Sequence, residues 1–210
     1  GNFTTTKGAI GCIGTPWICT TGSVLALAAD YYRYSHDEEF LKKYLPSMLN
    51  AADWIIGELK ATRKLNKDGS RPVGYGLMPS GMATDGDTGR LVVKTDNFTL
   101  WGLKKFSALL CELRHQRAEE INKETELYTK DILRAVEHIT RSDGFIERKI
   151  SVKGEKIHSK FDYVSGSQQL FFTGVLDTDY ERMADFVKYW ENNIADGPFM
   201  GKMDREVVYI

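Results

Sequence analysis

The stretch that decides the fold class is residues 35–59, SHDEEFLKKYLPSMLNAADWIIGEL, in which apolar residues recur at intervals of four and three. The recurring positions are Leu41, Leu45, Met48, Ala52, Ile55 and Leu59. This spacing places them on one face of an amphipathic helix. Pro46 interrupts the series, so we expect a break or kink between a short helix and a longer one. Ser35 and Glu38 match a capping box, which predicts Ser35 as the N-cap.

Helical spacing also occurs on both sides of this stretch. An apolar series predicts a helix over about 18–35, which would pair with the following one as an antiparallel hairpin. That series is Val24, Leu27, Ala28 and Tyr31. A second hairpin is predicted from a helix that begins at Thr95 or Asp96, both good N-cap residues, and a helix over about 118–141.

The last third of the chain predicts smaller elements. Residues 145–150 and 155–158 are typical of two short strands that form a β-hairpin excursion around a turn. A short helix over about 167–172 and a longer one from Asp179 would form a third hairpin. The inward positions of the longer helix are Met183, Val187 and Trp190. We therefore expect one all-α domain over residues 1–210, built of helical hairpins with a long loop and a small β-hairpin excursion.

The long loop spans residues 64–94, where periodicity disappears and six glycines and two prolines occur. A connection of about 30 residues far exceeds the usual 2–8 between packed helices, and loops of this length are usually functional or disordered. Its apolar residues argue against disorder, because they can anchor it to a core. They are Tyr75, Leu77, Met78 and Leu91.

Composition excludes several functions. The chain has 210 residues and a net charge of -1, without the basic excess of a nucleic-acid-binding protein. No apolar run approaches the roughly 18 residues of a membrane span, so we expect a soluble chain. The four histidines form no metal-ligand pair, and we predict neither a metal nor a cofactor. We expect no signal peptide in the N-terminal residues as given, and the compartment stays open. A secreted or periplasmic protein would have had its signal peptide removed.

Three carboxylates lie in or beside the long loop, and they are the candidates for chemistry. Asp85 and Asp87 are two positions apart, and Asp96 lies at a predicted helix N-terminus, where the dipole favours negative charge. Glycoside hydrolysis needs two carboxyl groups, one protonated and one ionised. The alternative for each aspartate is a solvated turn with an N-cap. A calcium loop is disfavoured, because its pattern would need Glu at position 96 and Gly89 occupies its fifth position.

Aromatic residues supply candidate contacts to a sugar. Trp17 and Trp101 fall in the first turns of predicted helices, where an aromatic face could stack on a sugar ring or pack in the core. Trp54 and Trp190 fit core positions of helices. Gln168 belongs to a polar run that begins another helix.

The order of these motifs resembles the six-hairpin glycosidase superfamily. Residues 15–17 (TPW) lead into 22–32 (GSVLALAADYY), and HDEEFL and AADWI follow at 36–41 and 51–55. In that group an inner helix ends in two consecutive aromatic residues. A short turn that contains Asp follows, and the next segment begins with Phe-Leu. The loop motif GLMPSG before Asp85, and TDNF before WGL at 101–103, are also similar to that group. The resemblance covers about residues 15–141.

The resemblance implies an (α/α)6 toroid of alternating inner and outer helices, with sugar bound where loops meet the N-termini of inner helices. A glycoside hydrolase would then use Asp85 and Asp87 as acid or base. The substrate-binding set would be Trp17, Tyr75, Asp96, Trp101 and Gln168. About six helices are predicted where a full toroid has twelve, so the chain would be a fragment of a larger catalytic domain. A carbohydrate substrate, and either a second copy or the remainder of the chain, are the expected partners. The alternatives are a noncatalytic carbohydrate-binding module and a helical interaction module.

Overall fold

The computed structural model describes residues 8–10, 18–84, 87–90, 92–147, 149–150, 173–174 and 181–193. Within these ranges the protein is built of α-helices with one short β-hairpin, which confirms the all-α prediction. The helices are α1 (Cys19–Ser35), α2 (Glu38–Thr62), α3 (Asn97–Glu112), α4 (Ala118–Ile139) and α5 (Glu181–Asn193). The antiparallel hairpin consists of β1 (Gly81–Thr84) and β2 (Asp87–Gly89). A single π-helical turn, Val92–Asp96, leads directly into α3.

The residue that caps the start of α2 is not the one that the capping-box pattern predicted. Ser35 is still helical, and His36 ends α1 in the left-handed region at φ 53°. Asp37 is the N-cap of α2, and its carboxylate accepts a hydrogen bond of 2.9 Å from the backbone N–H of Phe40. The prediction of Ser35 as the cap was wrong because α1 extends through it, so only two residues separate the helices.

We expect Asp37→Ala to lower the free energy of unfolding by about 1 kcal/mol, because the first turn of α2 loses its side-chain acceptor. Ser35→Ala should change it by less than about 0.5 kcal/mol, since that exposed hydroxyl caps no helix. Urea unfolding of the two variants measures this difference. An equal or larger loss for Ser35→Ala would contradict the assignment of Asp37 as the cap.

Helix α2 runs without a break for 25 residues across Pro46, so the predicted division into a short and a longer helix was wrong. Pro46 has no backbone N–H, so the carbonyl oxygen of Lys42 loses its usual hydrogen bond within the helix. Both residues are exposed, and water can hydrogen-bond to that oxygen instead. The apolar face continues on both sides of Pro46, with Leu41 and Met48 both buried. Packing of this face on one core therefore keeps the residues on both sides of Pro46 in one helix.

The described helices form two antiparallel hairpins, α1 with α2 and α3 with α4, and α1 packs closely on α3. Asp30 of α1 contacts Lys105 at 3.1 Å, and one helical turn later Arg33 contacts Glu112 at 2.7 Å. Residue numbers increase together along the two helices, so α1 and α3 are parallel neighbours. At their N-terminal halves the backbones touch through Gly22 and Gly102: a Cβ atom on Gly102 would lie 2.7 Å from the carbonyl carbon of Gly22.

Two predicted elements near the C-terminus are partly outside the described residues. Ile146 forms an isolated bridge with Thr140, while residues 155–158 of the predicted β-excursion and the predicted helix 167–172 lie outside. In α5, Met183 is buried as predicted, but Val187 is 38% exposed and its predicted inward position was wrong. The Trp190 side chain also lies outside the description.

Candidate functional site

The long segment between α2 and α3 lies at the end of the bundle where α1 and α3 begin. Leu77 and Met78 are fully buried, which confirms them as apolar anchors. The hydroxyl of Thr62, the last residue of α2, donates a hydrogen bond of 2.7 Å to the carbonyl oxygen of Leu77. The segment then continues into the β1–β2 hairpin and the π-helical turn, so it is ordered rather than structureless over its described part.

Asp96, the last residue of the π-helical turn, is the most deeply buried of the described carboxylates in this region. Its side chain makes no capping bond to α3, and its backbone is helical at φ -70° and ψ -36°. Oδ1 instead accepts hydrogen bonds of 2.7 Å from the Met78 N–H and 2.7 Å from the Tyr128 hydroxyl. Asp96 therefore occupies the N-cap position of α3 as predicted, but its side chain caps no backbone N–H of the helix. With the residue only 1% exposed, the prediction of a solvated turn was wrong for Asp96.

Burial raises the pKa of Asp96 from its ordinary 3.8 to about 7. The hydrogen bonds from Met78 and Tyr128 and the positive charge of Arg90 oppose this change, but burial dominates. Burial and the neighbouring Asp96 also raise the pKa of the Tyr128 hydroxyl well above its ordinary value. The Asp96 carboxyl is therefore substantially protonated at neutral pH, and Tyr128 is a neutral hydrogen-bond donor.

A second polar cluster joins the loop to α4. The Arg134 guanidinium donates hydrogen bonds to two loop carbonyl oxygens, at 3.1 Å to Pro72 and 2.7 Å to Tyr75. Asp131, whose side chain is 8% exposed, lies 3.7 Å from Arg134 and 3.6 Å from Arg63. Burial raises the pKa of Asp131 despite these cations. The cluster therefore fixes residues 72–75 against α4.

Two glycines allow the loop to approach these charged side chains closely. Gly76 has φ +71°, and a Cβ atom there would overlap the carboxylate of Asp131. A Cβ atom on Gly74 would overlap the guanidinium of Arg90. These two glycines of the long loop thus allow its backbone to lie directly against the charged side chains of Asp131 and Arg90.

The structure brings together only some of the predicted site residues. Asp96 and Tyr75 both contact the network of the loop and α4. The Tyr75 ring already has two guanidinium groups over it, Arg71 at 4.8 Å and Arg134 at 5.5 Å from its centroid. Trp101, in the first turns of α3 as predicted, is half-buried and packs edge-on against Phe98 at a centroid distance of 6.2 Å.

The remaining predicted residues lie wholly or partly outside the described part of the chain. Trp17, Asp85 and Gln168 lie outside the described residues. Asp87 is the first residue of β2, and its side chain is outside the description. Their roles stay predictions. One contact shows that a distant part of the chain reaches this end of the bundle: the Thr173 hydroxyl donates a 2.6 Å hydrogen bond to the Asn97 side chain at the start of α3.

Sequence reasoning missed Arg63, Tyr128, Asp131 and Arg134 as members of the site. The spacing in α4 could have indicated that Asp131 is buried. Asp131 falls three residues after Tyr128 and four before Ala135, and both of these face the core. A carboxylate on a core-facing stripe usually has a cationic or hydrogen-bonding partner. The partner Arg63 is distant in sequence and could not be named from the spacing.

Across the described part of the chain, no group of three His, Cys, Asp or Glu side chains is placed to bind a metal ion. A polar cavity of about 120 Å³ lies elsewhere, at the C-terminal end of α4, between His138, Arg141 and Lys149 among others. Among the helices that the structure describes, none combines the length and hydropathy needed to cross a membrane.

Comparison of the sequence with protein-family models and with curated proteins finds no match. Function is therefore inferred from the residues and their geometry.

Proposed function

We propose that the chain is part of a six-hairpin glycosidase-like hydrolase that cleaves glycosidic bonds by carboxylate acid and base chemistry. The observation that carries the proposal is the parallel packing of α1 on α3, each paired with an antiparallel helix. In the proposed (α/α)6 toroid, α1 and α3 would be inner helices and α2 and α4 outer ones. The loop with the candidate carboxylates lies where both inner helices begin, at the end where sugar is expected to bind.

The proposed chemistry requires two carboxyl groups in different protonation states on either side of the scissile bond. Asp85 and Asp87 take these roles in the proposal, with one as general acid and the other as base or nucleophile. Trp17, Trp101 and Gln168 would contact the sugar. Asp96 is buried, so its proposed role in substrate binding becomes an indirect one, through the loop that covers it.

Hydrolysis of a panel of aryl glycosides by the full chain tests the proposal. We expect Asp85→Asn and Asp87→Asn each to lower turnover at least about 100-fold, since each removes a group that transfers a proton or attacks the sugar. Asp68→Asn is the matched control, because Asp68 is an exposed carboxylate of the same loop whose contacts are with Ser70. Unchanged turnover in both test variants would exclude these carboxylates from catalysis.

A second candidate, a helical interaction module, is favoured by one exposed face of α1. Leu27, Tyr31 and Tyr34 lie on it at helical spacing and are 61%, 48% and 86% exposed. If this is the function, we expect a second copy to bind there and no glycoside to be turned over. A monomer in sedimentation experiments that hydrolyses glycosides would favour the hydrolase, and sugar binding without turnover would favour a noncatalytic carbohydrate-binding module.

A further inference from the structure

The hydrogen bonds of Asp96 fit a neutral carboxylic acid. Oδ1 accepts two hydrogen bonds, from Met78 and Tyr128, as a carbonyl oxygen with two lone pairs can. Oδ2 is buried and has no hydrogen-bond partner. An ionised carboxylate would leave a charged oxygen there without a donor, which costs more than an unpaired hydroxyl.

The same carboxyl group holds the loop in place. Met78 donates its backbone N–H to Asp96, and the preceding Leu77 accepts from Thr62. Two successive loop residues are thus tied to different helices, one to the end of α2 and one to the beginning of α3. Three residues after Met78 the chain enters β1 at Gly81, so the position of the β1–β2 hairpin depends on these two bonds.

Besides the Met78 N–H, two side chains of the described residues act directly on Asp96. Tyr128 reaches it from α4, and the positive charge of Arg90 acts on it from the segment after β2. Asp131 of α4 acts on Tyr128, and its carboxylate lies against Gly76 of the loop. Arg90 favours the ionised form of Asp96, whereas burial beneath the loop favours the neutral form.

We propose that Asp96 is a positioning residue: as a neutral carboxylic acid it holds residues 76–81, and thereby the β1–β2 hairpin, against the beginning of α3. This role deepens the proposed hydrolase function. Any effect of Asp96 on catalysis rests on that proposed function. Asp96 acts through the loop and need not touch substrate.

A dependence on pH follows from the burial of Asp96 beneath the loop. Displacing residues 76–81 would admit water to the carboxyl and return its pKa from about 7 toward the ordinary 3.8. Ionisation therefore favours the displaced loop, because the charged form is better solvated there. The ratio of displaced to bound loop should rise roughly 30-fold between pH 5.5 and pH 8.

Hydrogen exchange at the Met78 amide tests the proposal without requiring activity. After correction for the intrinsic exchange rate, we expect the protection of this amide to fall roughly 30-fold from pH 5.5 to pH 8. Asp96→Asn keeps an acceptor oxygen but cannot ionise, so its protection should change less than about threefold. The matched control Glu137→Gln, an acid-to-amide change on the exposed face of α4, should retain the full decrease.

A second variant keeps the test decisive if Asp96→Asn does not fold. Tyr128→Phe removes a hydrogen bond that lowers the pKa of Asp96, so the decrease in Met78 protection should move to higher pH. Protection that does not vary with pH in the parent, or that falls equally in Asp96→Asn, would overturn the proposal.

The activity of the same proteins separates the two proposals. If glycosides are hydrolysed, kcat of the parent should fall as the pH rises from 5.5 to 8, the range in which the loop is increasingly displaced, with little change in KM. Asp96→Asn should remove that decrease. If no glycoside is hydrolysed but Met78 protection behaves as expected, the hydrolase proposal fails and the positioning role of Asp96 stands.

Discussion

Replacing Gly102 by alanine is expected to lower the free energy of unfolding by about 3 kcal/mol, although alanine is the better helix former. The new methyl group would overlap the Gly22 carbonyl group on α1. The obstruction is backbone rather than a flexible side chain, so α1 and α3 would have to move apart. Gly22→Ala should have a similar effect, because its Cβ atom would meet the backbone of Thr99 at 2.9 Å.

Gly57→Ala is the matched control for this prediction. Gly57 lies inside α2, and nothing lies within 4 Å of the position that its Cβ would take. The same substitution should therefore raise the free energy of unfolding by about 0.5–1 kcal/mol through helix propensity. Urea unfolding of the three variants measures the free energy of unfolding, which should fall for Gly102→Ala and Gly22→Ala and rise for Gly57→Ala. A stabilising effect at Gly102 would show that α1 and α3 do not touch there.

The stability of the parent protein relative to Asp96→Asn is expected to fall by up to about 4 kcal/mol as the pH rises from 4 to 8. The pKa of Asp96 is about 7 in the folded protein and near 3.8 in the unfolded chain, so between these values the folded state binds more protons. Stability then decreases with rising pH, and the loss is complete above the folded-state pKa. Local displacement of the loop makes the loss smaller, because the carboxyl can ionise without global unfolding.

Chemical unfolding of both proteins at several pH values measures this difference. The comparison with Asp96→Asn cancels the contributions of other titrating groups, which the two proteins share. Tyr128→Phe provides a second comparison, in which the pH-dependent loss should extend to higher pH. Parallel stability curves for the parent and Asp96→Asn would show that the carboxyl ionises without cost in the folded state.

The bounds of the helices were predictable from sequence because apolar residues recur at helical spacing in each of them. The predicted apolar face of α1 was wrong: Leu27 and Tyr31 are 61% and 48% exposed, and the buried stripe of the helix includes Leu25 instead. Helix α4 was expected over about 118–141 and spans Ala118–Ile139, and α1 was expected over about 18–35 and spans Cys19–Ser35. Predictions at single positions failed where tertiary contacts decided the outcome. Pro46 was expected to break α2, and the apolar face on both sides of it overrides that local preference.

The candidate site was predictable only in its location. The glycines and carboxylates of residues 64–96 identified the loop, and Leu77 and Met78 identified its anchors. The burial of Asp96 was not predictable, because Asp at the start of a helix ordinarily caps it from the surface. Its acceptor role depends on Tyr128, which lies 32 residues further along the chain.

By itself, the sequence determined the all-α class, the approximate helix bounds and the segment that carries the candidate chemistry, because periodicity and turn composition act over a few residues. Only the tertiary structure decided which helices touch and which carboxyl groups lose water. The contact of Gly22 with Gly102 and the buried bond of Asp96 to Tyr128 join residues distant in sequence. Their energies depend on backbone approach and exclusion of solvent, which no local pattern encodes.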